Sequence, residues 1–372
     1  MAEILGLGLS HYPGPSVPVE FWPSMLERNV EIGRVTPELY ADKSRWPAAM
    51  RAEWGDDAGV TAAKAHRARL MAGYARLREE LDAFRPDIVL IWGDDQYENF
   101  KRECIPAFCV GVFDKVVGKP LSGSLGPFKT KANAWNLPAD TELVIRGHYQ
   151  ASSDFVRALL DDGFDVAYLM EPRDPRGLAH SFNNTIMYLD HWRRPFDYPL
   201  IPFHVNCYGN QLMKIAAGAA GEGRDIVSPP APTPRRCFDI GRATARYFAQ
   251  SPWRVALIAS SSWSHGSLCA KHGRLYPDLP ADRARYDDLA NGRFTRWGEL
   301  TRDDIDGTGQ AEILNWVCLA GAMTELGRKI EVVDYVETHV FNSSKCFALS
   351  LPADGTRREA ARAKTASAPA AS

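Results

Sequence analysis

Short apolar runs alternate with longer amphipathic stretches along most of the chain. The short runs end at turn-forming residues, which is typical of buried strands; they cover residues 4–9, 86–92, 164–170, 198–205, 253–260 and 330–336. The longer stretches have the apolar spacing of helices; they cover residues 20–33, 59–84, 140–161, 234–249 and 308–326. Strands that alternate with helices in this way predict an α/β fold with helices on the faces of a sheet.

The division of the chain into domains follows from what interrupts this alternation. No repeat and no Pro/Ser-rich linker occurs between residues 1 and 350, so we expect one domain over residues 1–352. Residues 353–372 are rich in Ala, Arg and Ser and predict a disordered tail. The Pro-rich segment 12–58 is longer than a usual connection, and we expect it to form a lid or a subunit contact.

Composition excludes some classes of partner. The chain has 44 Lys and Arg against 46 Asp and Glu, which leaves none of the basic excess expected of a nucleic-acid-binding protein. No apolar run approaches the roughly 18 residues of a membrane-spanning helix. We therefore expect a cytoplasmic protein that binds neither nucleic acid nor membrane.

Three histidines lie in turns after predicted strands, and they are the main candidates for chemistry. They are His11, His180 and His265, and a polar cluster over residues 93–100 also follows a strand. Open α/β sheets bind ligands at the carboxyl ends of their strands, so these side chains could share one pocket. Histidine both ligates metals and transfers protons near neutral pH. Each one taken singly is also compatible with a hydrogen-bonded turn histidine.

Five motifs in order carry a resemblance to a known family. They are Ser10-His11, the run from Asp94 to Phe100, the run from Gly177 to His180, the run from Ser262 to His265, and the run from Gly309 to Trp316 followed by Gly321-Ala322. In this order they resemble the class III extradiol ring-cleavage dioxygenases, the superfamily of the protocatechuate 4,5-dioxygenase catalytic subunit and of gallate and 3-O-methylgallate dioxygenases. The resemblance covers about residues 1–350 and implies a single catalytic domain with a central mixed β-sheet.

The resemblance implies an enzyme that uses non-haem Fe(II) and O₂ to open a catechol- or gallate-type aromatic acid. In the family, two histidines and a glutamate hold the iron. Matched by position, His11 falls in the metal pocket, His265 is the general base, and His180 contacts substrate and oxygen. Gln96 stands where the family has its second ligand histidine, and Ala284 stands at the family glutamate position.

These two departures leave the metal ligands open. The candidate metal residues are His11, Asp95 and Gln96, with the third ligand unassigned, because carboxylates flank both altered positions. Those near Ala284, which include Asp282, are either replacement ligands or the exposed face of a helix. For the substrate we expect Tyr97 and Trp263 to contact the ring, and Arg176 to pair with a carboxylate.

Two other functions remain open. One is a homologue that has no metal cofactor and uses His180 and His265 for acid–base chemistry on a hydroxylated aromatic, as a lyase, hydrolase or tautomerase. The other is a non-catalytic subunit or ligand-binding homologue. Because related enzymes commonly form oligomers, we expect a homo-oligomer in each case.

Overall fold

The computed structural model of the chain describes residues 2–101, 103–123, 126–190, 195–209 and 229–352. Its strands are β1 (Ile4–Leu9), β2 (Ile88–Gly93), β3 (Phe108–Gly111), β4 (Lys115–Gly118), β5 (Leu143–Arg146), β6 (Ala167–Leu169), β7 (Leu200–Val205), β8 (Val255–Ser260), β9 (Glu331–Val336) and β10 (Lys345–Ser350). Its α-helices are α1 (Ser24–Glu31), α2 (Pro37–Ala41), α3 (Ala48–Trp54), α4 (Val60–Phe84), α5 (Tyr149–Asp161), α6 (His180–Leu189), α7 (Pro234–Ala249), α8 (Leu279–Ala290), α9 (Arg302–Thr308) and α10 (Ile313–Glu325).

Eight strands form one mixed sheet, which confirms the predicted α/β fold. Their order is β6-β3-β7-β2-β8-β1-β10-β9, and β4 pairs with β5 in a separate two-stranded sheet. The four central strands β7, β2, β8 and β1 are mutually parallel. Antiparallel pairs join β3 to β7, β10 to β1 and β9 to β10. The carboxyl ends of the central four therefore meet at one edge of the sheet.

Helices cover both faces of this sheet. The central strands are buried along their whole length, as expected of parallel strands with apolar residues on both sides. On one face α10 packs closely against α7. The two helices approach so closely that a side chain at Gly321 or Gly241 would meet the backbone of the opposite helix. On the other face lie α4, α6 and the buried tryptophans of the N-terminal segment. This packing fixes the amino-terminal end of α10, which matters for the site below.

Three element boundaries differ from the sequence prediction. Residues 143–146, predicted as helix, form β5, and the helix that follows begins only at Tyr149. The predicted helix 20–33 is shorter, over Ser24–Glu31. The predicted helix 308–326 begins only at Ile313, because Gly309 adopts a left-handed conformation that ends the preceding helix α9 at Thr308.

The segment 12–58 folds into short helices that pack beside α4, and Trp22, Trp46 and Trp54 bury their rings there. Five of its residues line the cavity described below: Tyr12, Pro13, Ser16, Met25 and Arg34. Its role as a lid or subunit contact stays a prediction. The tail predicted over residues 353–372 lies outside the described residues. Among the helices that the structure describes, none has the length and apolarity needed to cross a membrane.

Candidate active site

A cavity of about 480 Å³ opens at the carboxyl ends of the four central strands. Each of these strands is followed by a residue of its wall: His11 after β1, Gln96 after β2, Tyr208 after β7 and Ser262 after β8. Other wall residues come from the loops and helices that surround this edge, and they include Arg34, Tyr97, Glu98, Arg176, His180, His265 and Glu312. The sheet thus brings together the polar turns that the sequence separates by up to three hundred residues.

Three buried side chains at this cavity, His11, Asp94 and Glu312, form a cluster with the geometry of a metal site. Their ligand atoms all lie within 4.8 Å of one another. His11 Nε2 is 3.6 Å from Asp94 Oδ1 and 3.5 Å from Glu312 Oε2. Glu312 immediately precedes α10, so the packing of that helix fixes its side chain at the cavity. We call these three residues the acidic cluster.

Neighbouring groups hold the acidic cluster in place. His11 Nδ1 lies 2.8 Å from the carbonyl oxygen of Ser260, so a proton on Nδ1 leaves Nε2 free to face the carboxylates. The Asn315 side chain donates to Asp94 Oδ1 over 3.4 Å. The Ser181 hydroxyl donates to the Asp94 carbonyl oxygen over 2.6 Å, which ties the end of β2 to α6. The cluster is therefore built into the core.

Burial disfavours the ionised form of each residue in the acidic cluster, and the charges of neighbouring groups also shift their pKa values. Burial and the charge of Glu312 raise the pKa of Asp94 to about 6. Burial opposes the charge on Glu312 too, but His265 and His11 hold the pKa of that carboxyl well below its usual range. Burial likewise opposes a charge on His11, yet Glu312 and Asp94 raise the pKa of its imidazole. The site therefore has an ionised Glu312 and favours a positive charge between its members.

Gln96 bridges the two carboxylates of the acidic cluster, and Tyr208 contacts one of them. The Gln96 amide nitrogen lies 3.1 Å from Asp94 Oδ2 and 3.1 Å from Glu312 Oε1. Tyr208 donates its hydroxyl hydrogen to Glu312 Oε1. The Gln96 side chain thus reaches the cluster as the resemblance implies, but its amide nitrogen, a donor, is the atom nearest the carboxylates.

His265 and His180 lie beside the cluster. His265 Nε2 is 3.4 Å from Glu312 Oε1, and its Nδ1 lies 3.0 Å from the carbonyl oxygen of Trp263. The ring of His180 makes an edge contact with that of His11, with 5.1 Å between the centroids. His180 therefore adjoins the acidic cluster through His11, and His265 through Glu312.

Glu98 holds His180 at the first residue of α6. It accepts the backbone N–H of His180 over 2.9 Å and lies 3.0 Å from Nδ1 of the ring. Burial opposes a charge on this ring, but Glu98 raises the pKa of His180 to about 9. His180 is therefore a cation at neutral pH and can donate a proton or a hydrogen bond.

The structure corrects two positions of the expected metal site. Asp95 accepts hydrogen bonds from the backbone N–H groups of residues 98, 99 and 100, so it shapes the loop, and its neighbour Asp94 faces His11 instead. Ala284 lies within α8 and does not line the cavity; Glu312 supplies the carboxylate beside His11. The sequence predicts a ligand role for Asp95, whereas the carboxylate that faces His11 belongs to Asp94, one position earlier in the chain.

Of the three residues expected to contact the substrate, two line the cavity and one does not. Tyr97 and Arg176 line the cavity. Arg176 is already paired, because its guanidinium makes two hydrogen bonds of 2.9 and 2.7 Å to Asp174. Trp263 was wrongly expected at the ring: it is 1% exposed and packs among Trp297, Trp316 and Tyr335 in the core behind the site.

Sequence reasoning named Asp94 and Glu98 only as carboxylates beside an altered ligand position and Tyr208 only as an aromatic beside a polar turn, and it did not assign Glu312 or Arg34 to the site. A signal existed for Glu312, because it lies inside the run from Gly309 to Trp316 that carries part of the resemblance. Asp94 and Glu98 lie in the polar cluster after β2, where several carboxylates compete for one role. Arg34 had no such signal, since only tertiary packing brings it to this cavity.

The chain is similar in sequence to proteins that are named as dioxygenases. A protein of Photorhabdus laumondii named 2,3-dihydroxyphenylpropionate/2,3-dihydroxicinnamic acid 1,2-dioxygenase is 27% identical over 207 residues, which are 55% of this chain and 51% of that protein. One of the same name from Paraburkholderia phymatum is 24% identical over 302 residues, which are 69% of this chain and 82% of that protein. The chain thus spans about half the length of the first relative.

Two further comparisons do not assign a function. No family model matches the chain. A crystal structure of an uncharacterized protein from Escherichia coli K12 is 14% identical, with a TM-score of 0.44, and the match covers 75% of this chain and 91% of that one.

Proposed function

We propose that this protein is a metal-dependent extradiol-type dioxygenase that opens a dihydroxylated aromatic acid with O₂. The observation that carries the proposal is the acidic cluster, which is buried at a ligand-sized cavity with His180 and His265 beside it. The names of the related proteins supply the reaction class and suggest a catechol that bears a carboxylated side chain.

The acidic cluster fits a divalent metal ion. Two carboxylates and one imidazole are a suitable donor set for Fe(II) or Mn(II), and their mutual repulsion would be relieved by a cation between them. This set replaces the two histidines and one glutamate of the family, with Asp94 as the extra carboxylate. When bound, the metal would lower the pKa of the substrate hydroxyl and bring catechol and oxygen together.

The two remaining histidines have protonation patterns suited to different steps. If His265 donates Nδ1–H to the carbonyl of Trp263, Nε2 is the basic nitrogen, and it lies where it can accept a substrate proton. His180 is held by Glu98 as a cation and can donate a hydrogen bond to an anionic substrate or return a proton. One histidine acts as base and the other as acid.

The metal-independent alternative is favoured by a specific observation. The Gln96 amide and the Tyr208 hydroxyl already donate hydrogen bonds to the carboxylates of the acidic cluster. A site in which these donors replace the metal would retain His180 and His265 for acid–base chemistry on the same class of ring. Under the third possibility, a non-catalytic homologue, substitution of His265 would leave the biological activity intact.

Metal analysis followed by an oxygen assay tests the proposal. Protein purified without chelator is analysed for metals and then titrated anaerobically with Fe(II) in a calorimeter. We expect binding of about one iron per chain, and then oxygen uptake with 3-(2,3-dihydroxyphenyl)propanoate or a related catechol acid. Failure to bind Fe(II) or Mn(II) would overturn the dioxygenase proposal and favour the metal-independent enzyme.

A further inference from the structure

Two arginines line the cavity, and they differ in how their charge is balanced. Arg176 makes its two short hydrogen bonds to Asp174, and the charge of this carboxylate neutralises the guanidinium. Arg34 has no carboxylate within 4 Å among the described residues. An arginine that faces a ligand cavity without a counter-ion is a common way to recognise an anionic group of the ligand.

The hydrogen bonds of Arg34 leave most of its guanidinium unused. Its Nε is buried and has no hydrogen-bond partner, and one terminal nitrogen reaches Asn29 Oδ1 only over a long 3.4 Å. A guanidinium carries five N–H donors in a planar fork, which matches the two oxygens of a carboxylate. A buried N–H of a charged group without an acceptor is unfavourable, and a bound anion would supply that acceptor.

The backbone around Arg34 is fixed by its neighbours. Gly33 takes the left-handed conformation after α1, and the N–H groups of residues 34 and 35 both donate to the carbonyl oxygen of Asn29, over 2.8 and 3.0 Å. Val35 is fully buried and anchors the turn in the core. The turn therefore holds Arg34 at the cavity wall without any tie of its side chain to an acid.

The charge around Arg34 favours an anion. Burial and the nearby Arg274 both lower the pKa of Arg34, which means that its charge is poorly compensated in the described structure. Arg274 donates to the carbonyl oxygen of Ser267, and Ser267 is itself a wall residue of the cavity. The cavity wall thus includes the carboxylate of Glu312 and, in Arg34, a guanidinium that no described carboxylate pairs.

We propose that Arg34 binds the carboxylate of the substrate side chain, with Arg274 adding to the positive potential. The substrate would then be an aromatic acid whose hydroxyls face the acidic cluster and whose carboxylated chain extends toward the segment 12–58. This inference rests on the proposed function for the identity of the ring, but the recognition of the carboxylate is independent of oxygen chemistry. It assigns to Arg34 the role that the sequence suggested for Arg176.

Binding of a matched pair of ligands tests the inference. The probes are 3-(2,3-dihydroxyphenyl)propanoate and its primary amide, which differ in charge at one position, titrated anaerobically in a calorimeter into wild-type protein, Arg34→Gln and Arg176→Gln. We expect the wild-type protein to prefer the acid by about tenfold or more, as for a charge-assisted hydrogen bond. Arg34→Gln should abolish this preference and keep the affinity for the amide, which also shows that the variant is folded. Arg176→Gln should retain the preference.

Each other outcome has a defined meaning. Equal binding of acid and amide by the wild-type protein, no binding of either, or a preference that survives in Arg34→Gln overturns the inference. A preference that is lost in Arg176→Gln instead assigns the carboxylate to that residue and also overturns it. Acid preference that depends on Arg34, in a protein that takes up no oxygen with any catechol, would contradict the proposed function and leave the inference standing.

Discussion

Glu312 and Asp282 are both buried carboxyl groups, but they differ in their surroundings and in their protonation state. Glu312 faces His11 and His265 at the cavity, and these histidines keep it ionised. Asp282 lies on α8 away from the cavity, and one of its oxygens accepts hydrogen bonds from the Ser264 N–H, over 2.9 Å, and the Gln310 amide, over 2.8 Å. Burial raises the pKa of Asp282 to about 8, so it is mostly a neutral acid at pH 7.

The difference teaches that burial of an acid does not by itself identify a metal ligand. Asp282 joins the loop of His265 to the loop that leads into Glu312, and it therefore positions residues of the site without touching the cavity. The sequence alternatives for this region, a replacement ligand or an exposed helix face, were both wrong for Asp282, which is 0% exposed. What separates the two acids is that two histidines face Glu312, whereas a backbone N–H and a side-chain amide face Asp282.

The largest expected effect comes from removing the charge of Glu312. Glu312→Gln should weaken Fe(II) binding about 10²-fold or more, since it removes a ligand and not only a supporting group. Asp282→Asn is the matched control, because an asparagine keeps the oxygen that accepts both hydrogen bonds. We expect that variant to bind Fe(II) like the wild-type protein in the same anaerobic titration. Equal losses in the two variants would contradict the comparison.

Substitution of His265 tests whether the residue beside Glu312 acts as a base. His265→Asn should lower kcat by about 10²-fold or more, as expected when a general base is removed, while Fe(II) affinity stays near the wild-type value. Oxygen uptake and metal titration on the same preparation measure the two quantities separately. If iron binding falls together with kcat, His265 belongs to the metal site and is not the base.

A smaller effect is expected from restoring the histidine that the family has at Gln96. The Gln96 side chain already lies 3.1 Å from both carboxylates, so an imidazole there would reach the acidic cluster. Gln96→His should tighten Fe(II) binding about tenfold, because imidazole is a better ligand than an amide. Gln96→Ala serves as the control for loss of the amide. Unchanged affinity in Gln96→His would place position 96 outside the reach of the metal.

The last prediction concerns the pH dependence of stability, which is a property of the fold and not of the metal site. The folded pKa of Asp282 is raised to about 8, above that of the unfolded chain, so the folded protein holds a proton that the unfolded chain releases. The contribution of Asp282 to the free energy of unfolding should therefore fall as the pH rises from about 4 to 8, by about 1 kcal/mol per pH unit. Urea unfolding at several pH values should show a flatter dependence in Asp282→Asn. Identical slopes in the two proteins would mean that Asp282 is ionised when folded.

The sequence by itself determined the fold class and much of the site. Apolar runs of four to eight residues are stable only when buried on both sides, which is why the central strands could be located from their pattern. Polar residues directly after such strands must gather at one edge of a parallel sheet. His11, His180, His265 and the loop after β2 could therefore be expected in one pocket, and the resemblance carried by the five motifs gave the histidines their expected roles.

Only the tertiary structure decided which atoms face one another. In the loop after β2, three of the four residues from Asp94 to Tyr97 could have been ligands, and the backbone turn alone directs Asp94 to the cluster while Asp95 binds backbone N–H groups. Glu312 reaches His11 because α10 packs on α7, a contact between segments far apart in sequence. Which side chains face one another depends on packing between segments far apart in sequence, and the local periodicity of apolar residues does not encode that packing.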